Sequence, residues 1–196
     1  MKNVLKGKVT LITGAARGIG KSAAIQFASC GSDIVINDLD EKELKETQQM
    51  ITKLGVKCEA ISGDLLQPSL PDEIVAKTIK VFGKLDVLVN NAGFTWDKMA
   101  HKMTDEMYET ILAIHNVVPF RFIRAVSPYM RDLGKQEKAE GKTPTDRCVI
   151  NISSTSGLHG NNGQVNYATA KMGIIGLTKT IAKEWGPFGV RCNAVA

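Results

Sequence analysis

Tyr167 and Lys171 stand four residues apart, a spacing that puts both on one face of a helix. A phenol with an ordinary pKa of about 10 is a poor proton shuttle at neutral pH. A neighbouring ammonium favours the ionised form and so makes proton transfer easier. Ser154, thirteen residues before Tyr167, follows an apolar run and can hold a substrate oxygen through its hydroxyl. A Tyr-x-x-x-Lys pair alone is common by chance. With Ser154 and a glycine-rich turn in the same chain, it is the sharpest chemical signal in the sequence.

That turn reads Thr13-Gly14-Ala15-Ala16-Arg17-Gly18-Ile19-Gly20. Glycines let a backbone turn tightly and approach a pyrophosphate, whose charge is attracted by free N–H groups at a helix start. The spacing is Gly-x-x-x-Gly-x-Gly rather than Gly-x-Gly-x-x-Gly, and its weight comes from its place after a strand and before a helix. Asp38 follows about twenty residues on, where a carboxylate accepts both ribose hydroxyls and repels a 2′-phosphate. NAD(H) is therefore favoured over NADP(H). Arg17 pulls the other way, because a guanidinium in this loop can pair with that phosphate.

The elements that must position these groups follow from apolar periodicity. Strands are predicted at Val9–Thr13, Ile34–Ile36, Cys58–Ile61, Val87–Val89, Cys148–Ile152 and Val190–Val195. Helices are predicted at Ile19–Ala28, Glu41–Leu54, Pro71–Phe82, Thr104–Met130 and Gln164–Trp185. Arg131 to Arg147, rich in Lys, Glu, Gln and Gly, reads as a solvated surface excursion. Strand and helix alternate throughout, and the strands are continuously apolar. That pattern predicts an α/β fold, a doubly wound parallel sheet of Rossmann type in one domain over 1–196. Ligands of such sheets bind beyond the carboxyl ends of the strands. Gly14, Asp38, Asp64, Asn90, Ser153 and Ser154 stand at five successive strand ends.

Composition narrows the class. The 196 residues are 43% hydrophobic and 23% charged, enough for one core and too ordered in pattern for disorder. Lysines interrupt the first eight residues, so no secretory signal is predicted, and no apolar run reaches the ~20 residues of a membrane span. A cytoplasmic protein is expected. Four scattered cysteines without a Cys-x-x-Cys pair indicate neither zinc nor a disulfide framework, and buried free thiols are expected. The net charge of +5 is spread along the chain, with no basic block suited to nucleic acid.

Taken together, Thr13-Gly14-x-x-x-Gly18-x-Gly20, Asn90-Asn91-Ala92-Gly93, Ser154 and Tyr167-x-x-x-Lys171 resemble the short-chain dehydrogenase/reductase family in order and spacing. The resemblance implies an NAD(P)-dependent enzyme interconverting a ketone and a secondary alcohol. It gives Tyr167 the proton, Ser154 the carbonyl, and Lys171 the nicotinamide ribose. It places Gly14, Arg17, Gly18, Ile19, Gly20 and Asp38 at the cofactor. Asp64 and Leu65 would lie by the adenine, and Asn90, Ala92 and Gly93 along the cleft. Around Asn90 to Asp97, with Met103 and Thr104, the chain is similar to 3-oxoacyl thioester reductases acting on acyl carrier protein or coenzyme A substrates. Arg121, Arg124 and Arg131, within about a quarter-turn of each other on a helix, can meet an acidic carrier or a coenzyme A phosphate, or form a solvated face. The resemblance also implies a homodimer or homotetramer, with Met172, Ile175 and Leu177 at an interface or in the core.

Two departures from the family pattern stand out. His115 occupies the position of an asparagine that helps a water-linked proton relay, and it either continues that relay or is a satisfied interior histidine. The sequence stops at Ala196, where the family continues with a substrate loop, a helix and a last strand, so the usual C-terminal elements are expected to be lacking. Besides the thioester reading, the pattern leaves room for a dehydrogenase of a polyol, sugar or steroid. It also leaves room for a nucleotide-binding protein without turnover.

Overall fold

Six short runs rich in Val, Ile and Leu pair side by side as parallel strands. A computed structural model describes residues 3–196. The strands are β1 (Val9–Thr13), β2 (Asp33–Asp38), β3 (Cys58–Ser62), β4 (Val87–Asn90), β5 (Arg147–Ile152) and β6 (Val190–Val195). Their order across the sheet is β3-β2-β1-β4-β5-β6, every pair parallel. The order reverses between β1 and β4, which opens a crevice at their carboxyl ends.

Successive strand residues feed two cores on opposite faces of the sheet, as the pleat requires. Ile12, Ile34, Ile36 and Val89 pack with Ala24 and Ala28 of α1 (Gly18–Ser29) and with Leu44 and Ile51 of α2 (Glu41–Thr52). Leu11, Val35, Leu88 and Val149 point the other way. They pack on Ile74 of α3 (Leu70–Phe82), on Phe122 and Val126, and on Trp185. The predicted doubly wound sheet is the fold observed.

The helix predicted to end at Met130 is a longer column. It comprises α4 (Asp105–Leu112), a π turn at Ala113–Val117, α5 (Val118–Ser127), a second π turn at Pro128–Asp132, and α6 (Leu133–Ala139). The expected excursion at 131–147 lies largely at the surface, but its first half is helix rather than loop and its last residue, Arg147, begins β5. Tertiary contacts impose this on a polar segment. A Cβ on Gly134 would come within 2.1 Å of the Phe188 carbonyl oxygen, so only glycine allows the approach. Arg131 and Lys138 lie 5.1 and 6.0 Å from the Phe188 ring centroid. Glu137 accepts from Arg147 at 2.8 and 3.1 Å and from the Thr145 N–H at 2.7 Å, which closes the loop onto β5.

Each arginine of the expected row has its own partner within the chain. Arg121 donates to the Leu66 carbonyl at 3.4 Å, Arg124 lies 3.8 Å from Asp72, and Arg131 covers Phe188. The chain also forms α7 (Thr155–His159), which sequence periodicity did not reveal, before α8 (Val165–Trp185). Of the four free cysteines, Cys148 and Cys192 are buried, whereas Cys30 and Cys58 are only partly so. Among the described residues, no helix is long and apolar enough to cross a membrane.

Candidate active site

A cleft of about 650 Å³ runs along the carboxyl ends of the strands, from the glycine turn to α8. Gly14, Arg17, Gly18, Ile19 and Gly20 line one end with Asp38, Asp64 and Leu65; Ala92 and Gly93 line its middle, and His115, Tyr167 and Lys171 the other end. Asn90 and Ser154 are not in this lining.

Each glycine of the turn has a separate reason. Gly14 has φ +65°, and a Cβ there would come within 2.7 Å of Ala92 Cα, because β1 and β4 converge at this point. A Cβ on Gly20 would come within 2.1 Å of the Gly14 carbonyl oxygen and 2.5 Å of Asn91 Nδ2. Gly18 has φ +57° and open space around it. Thr13 accepts from the N–H groups of Asn91 and Ala92 at 3.1 and 3.0 Å, which ties the turn to the end of β4. Asp38 braces it from the other side: Oδ2 accepts from the Ala16 N–H at 2.9 Å, and Oδ1 from the Leu39 N–H at 2.8 Å. Asp64 Oδ1 accepts from the Leu66 N–H at 2.9 Å.

The expectation that Asn90 lines the cleft is corrected. Asn90 still belongs to β4, opposite Asn151 of β5, and it donates to the Asn151 side chain at 2.8 Å inside the sheet. Its neighbour Asn91 faces the cleft and donates to the carbonyls of Thr13 and Gly14, both at 2.9 Å. One step along a strand reverses the face, and the sequence does not mark where the strand ends.

At the far end, α8 is stapled to the end of β5. Lys171 Nζ donates to the Ile152 carbonyl at 2.6 Å, and Ser153 Oγ donates back to the Lys171 carbonyl at 2.7 Å. Lys171 is buried, and desolvation pulls its pKa down to about 8. Its Nζ lies 5.5 Å from the Tyr167 ring centroid. Ser154 caps α7, its Oγ accepting from the Ser156 N–H at 3.1 Å, so its own hydroxyl proton stays available for donation.

His115 sits in the first π turn and packs on Gly93, where any Cβ would collide with the imidazole. Nε2 donates to the Phe94 carbonyl at 2.8 Å, which leaves Nδ1 as an acceptor with no protein partner. The ring meets Tyr167 edge-on, centroids 5.1 Å apart. Burial, then the Lys171 charge, lowers its pKa to about 4, so the imidazole is neutral at pH 7. Asn116 turns away and donates to the Ala170 carbonyl of α8 at 3.0 Å. The cleft also takes in Asn37, Leu39, Leu66 and Thr95, which sequence reasoning missed. Asn37, the penultimate residue of β2, and Leu39, just past it, flank Asp38, and Leu66 follows Leu65, so their adjacency to expected site residues was the available signal.

This chain matches the sequence profile of the short chain dehydrogenases over residues 8–196. The chain belongs to the short-chain dehydrogenase family. Members are NAD(P)-dependent oxidoreductases acting on CH–OH and C=O groups. It is 39% identical to a hydroxyacyl-CoA dehydrogenase of Mycobacterium tuberculosis, the match covering 97% of this chain and 61% of that protein. It is 36% identical to a 3-oxoacyl-[acyl-carrier-protein] reductase of Thermotoga maritima, covering 98% of this chain and 74% of the relative. The crystal structure of a short chain dehydrogenase from Mycobacterium smegmatis superposes with a TM-score of 0.88 at 35% identity, over 98% of this chain and 77% of that one.

The cofactor of short-chain dehydrogenases fits the observed cleft. The glycine turn leaves Gly18 in open space with a left-handed backbone, and no side chain caps the first turn of α1. Both features leave the helix start free for a pyrophosphate.

Proposed function

We propose that this chain interconverts a 3-oxoacyl thioester and its 3-hydroxyacyl counterpart, with NAD(H) as the preferred hydride carrier. The observation that carries the reading is the single continuous cleft with the glycine turn at one end and the Tyr167–Lys171 pair at the other. The thioester is supported by the names of the relatives, a hydroxyacyl-CoA dehydrogenase and 3-oxoacyl-[acyl-carrier-protein] reductases. An acyl carrier protein or coenzyme A would carry the acyl group.

The bound nicotinamide supplies or accepts the hydride. Tyr167 gives a proton to the substrate oxygen in reduction and takes it back in oxidation. Ser154 donates its free hydroxyl proton to the same oxygen and so orients the carbonyl. Lys171, anchored on the Ile152 carbonyl, holds the nicotinamide ribose and keeps a positive charge beside the phenol below about pH 8. His115 continues the proton path through the unpartnered Nδ1. Asp38, fixed by two backbone N–H groups, accepts the adenosine ribose hydroxyls and repels a 2′-phosphate. Asp64 and Leu65 border the adenine.

A homodimer or homotetramer completes the reading. Met172 on α8 and Phe120 on α5 are 54% and 49% exposed, whereas Leu177 packs against the core. The deciding assay follows NADH and NADPH oxidation with acetoacetyl-CoA, and with a simple ketone as control. Faster turnover of acetoacetyl-CoA with NADH is expected. Turnover of the simple ketone alone would remove the thioester, and a preference for NADPH would mean that Arg17 outweighs Asp38.

A further inference from the structure

The coil that follows β4 is built inside out. Phe94, Trp96 and Met99 remain 46%, 39% and 52% exposed, while the carbonyls of Phe94 and Trp96 are bound inward. Asn166, fully buried, donates through Nδ2 to the Trp96 carbonyl at 3.0 Å and to the Met107 carbonyl at 3.1 Å. Its Oδ1 accepts from the Tyr167 N–H at 2.8 Å. His115 takes the Phe94 carbonyl and lays its ring against Tyr167. Further out, Gln164 Nε2 donates to Asp97 at 2.9 Å, and the Lys98 N–H donates to the Gly163 carbonyl at 2.8 Å. These tethers run from the coil to Tyr167 or to the segment just before it.

Only a side-chain amide meets this demand. One end must donate to two carbonyls while the other accepts from an N–H. A carboxylate of the same shape offers acceptors alone and would face two carbonyl oxygens. A buried amide satisfied on both ends is costly to disturb and specifies one arrangement. The wall it fixes presents apolar side chains outward, continuous with the cleft through Phe94, which suits a hydrocarbon ligand.

We propose that Asn166 is a positioning residue: it sets the Phe94–Trp96 wall against Tyr167, so that the wall receives the acyl chain while the phenol meets the carbonyl. This rests on the thioester reading above. The test compares wild type with Asn166→Asp on 3-oxoacyl-CoA substrates of four and ten carbons, with NADH present. Wild type should favour the longer chain. The variant should raise KM for the ten-carbon substrate at least tenfold, with a much smaller change for the four-carbon one and an NADH Kd within twofold. In a Trp185→Phe background, Trp96 fluorescence should become more open to acrylamide quenching in the variant. Should Asn166→Asp fail to fold, Asp97→Ala removes only the exposed outer tether and should shift the same chain-length ratio by about twofold to threefold. An unchanged chain-length ratio in the folded variants overturns the positioning role and leaves the thioester reading standing. A wild type that reduces simple ketones but no thioester overturns both.

Discussion

At the end of the cleft beside β2, the lining is largely backbone and glycine, braced by Thr13, Asp38 and Asn91 through hydrogen bonds to main-chain atoms. At the end beside α8, buried side chains do the shaping: His115, Asn166 and Lys171 each reach across to a carbonyl of another segment. The first construction depends on what is small enough to be there. The second depends on which donors and acceptors survive burial. A backbone-built end tolerates no added atom at its crossings, whereas a side-chain-built end tolerates a change of shape better than a change of hydrogen-bonding pattern.

The largest effect should come from Tyr167→Phe, which deletes the proposed proton donor and leaves the ring. Turnover should fall about 10²- to 10⁴-fold, with NADH affinity unchanged in a fluorescence titration. Loss of cofactor binding in that variant would show that the two ends are not separable. At the backbone-built end, Gly20→Ala forces a Cβ against the Gly14 carbonyl and should cost about 2–4 kcal/mol of stability, with at least a tenfold loss in NADH affinity. Gly18→Ala meets nothing and should cost only about 1 kcal/mol, from its left-handed backbone. Equal effects of these two alanines in urea unfolding would refute the steric account.

The side-chain-built end should respond to pH. The folded state keeps His115 neutral with a pKa of about 4, below the ordinary 6.5, so the unfolded chain binds the extra proton between those values. Stability from this residue is present above pH 6.5 and is lost as pH falls toward 4, by about 3 kcal/mol in full. His115→Asn, which keeps a donor for the Phe94 carbonyl, should flatten that part of the stability–pH curve. An unchanged slope would assign the acid sensitivity to other groups. The smallest effect on function should come from a third region. Glu137→Ala leaves Arg147 buried without its carboxylate and should lower stability by about 2 kcal/mol, with KM and NADH affinity unchanged.

Legibility followed the same division. The six strands, the helices that cross between them and the glycine turn were readable, because continuous apolar runs and Gly at a strand end are local consequences of burial and backbone geometry. The Tyr167–Lys171 face was readable from helical spacing. Asn90 was misplaced because one residue of strand length decides which side chain turns to the cleft. The segment 131–147 is as exposed as its polar composition suggests, but the helix in its first half was not legible, because Gly134, Phe188 and the Glu137–Arg147 pair hold it from other parts of the chain.

By itself, the sequence determined the layered fold, the cleft's position and the chemical types gathered there, because each is written in periodicity and spacing along one segment. Tertiary structure alone decided that His115 presents Nε2 to Phe94, that Asn166 joins the coil to Tyr167, and that Asn91 rather than Asn90 meets the glycine turn. These choices depend on partners 21 to 78 residues away in the chain, and a buried donor or acceptor takes whichever partner packing brings within reach.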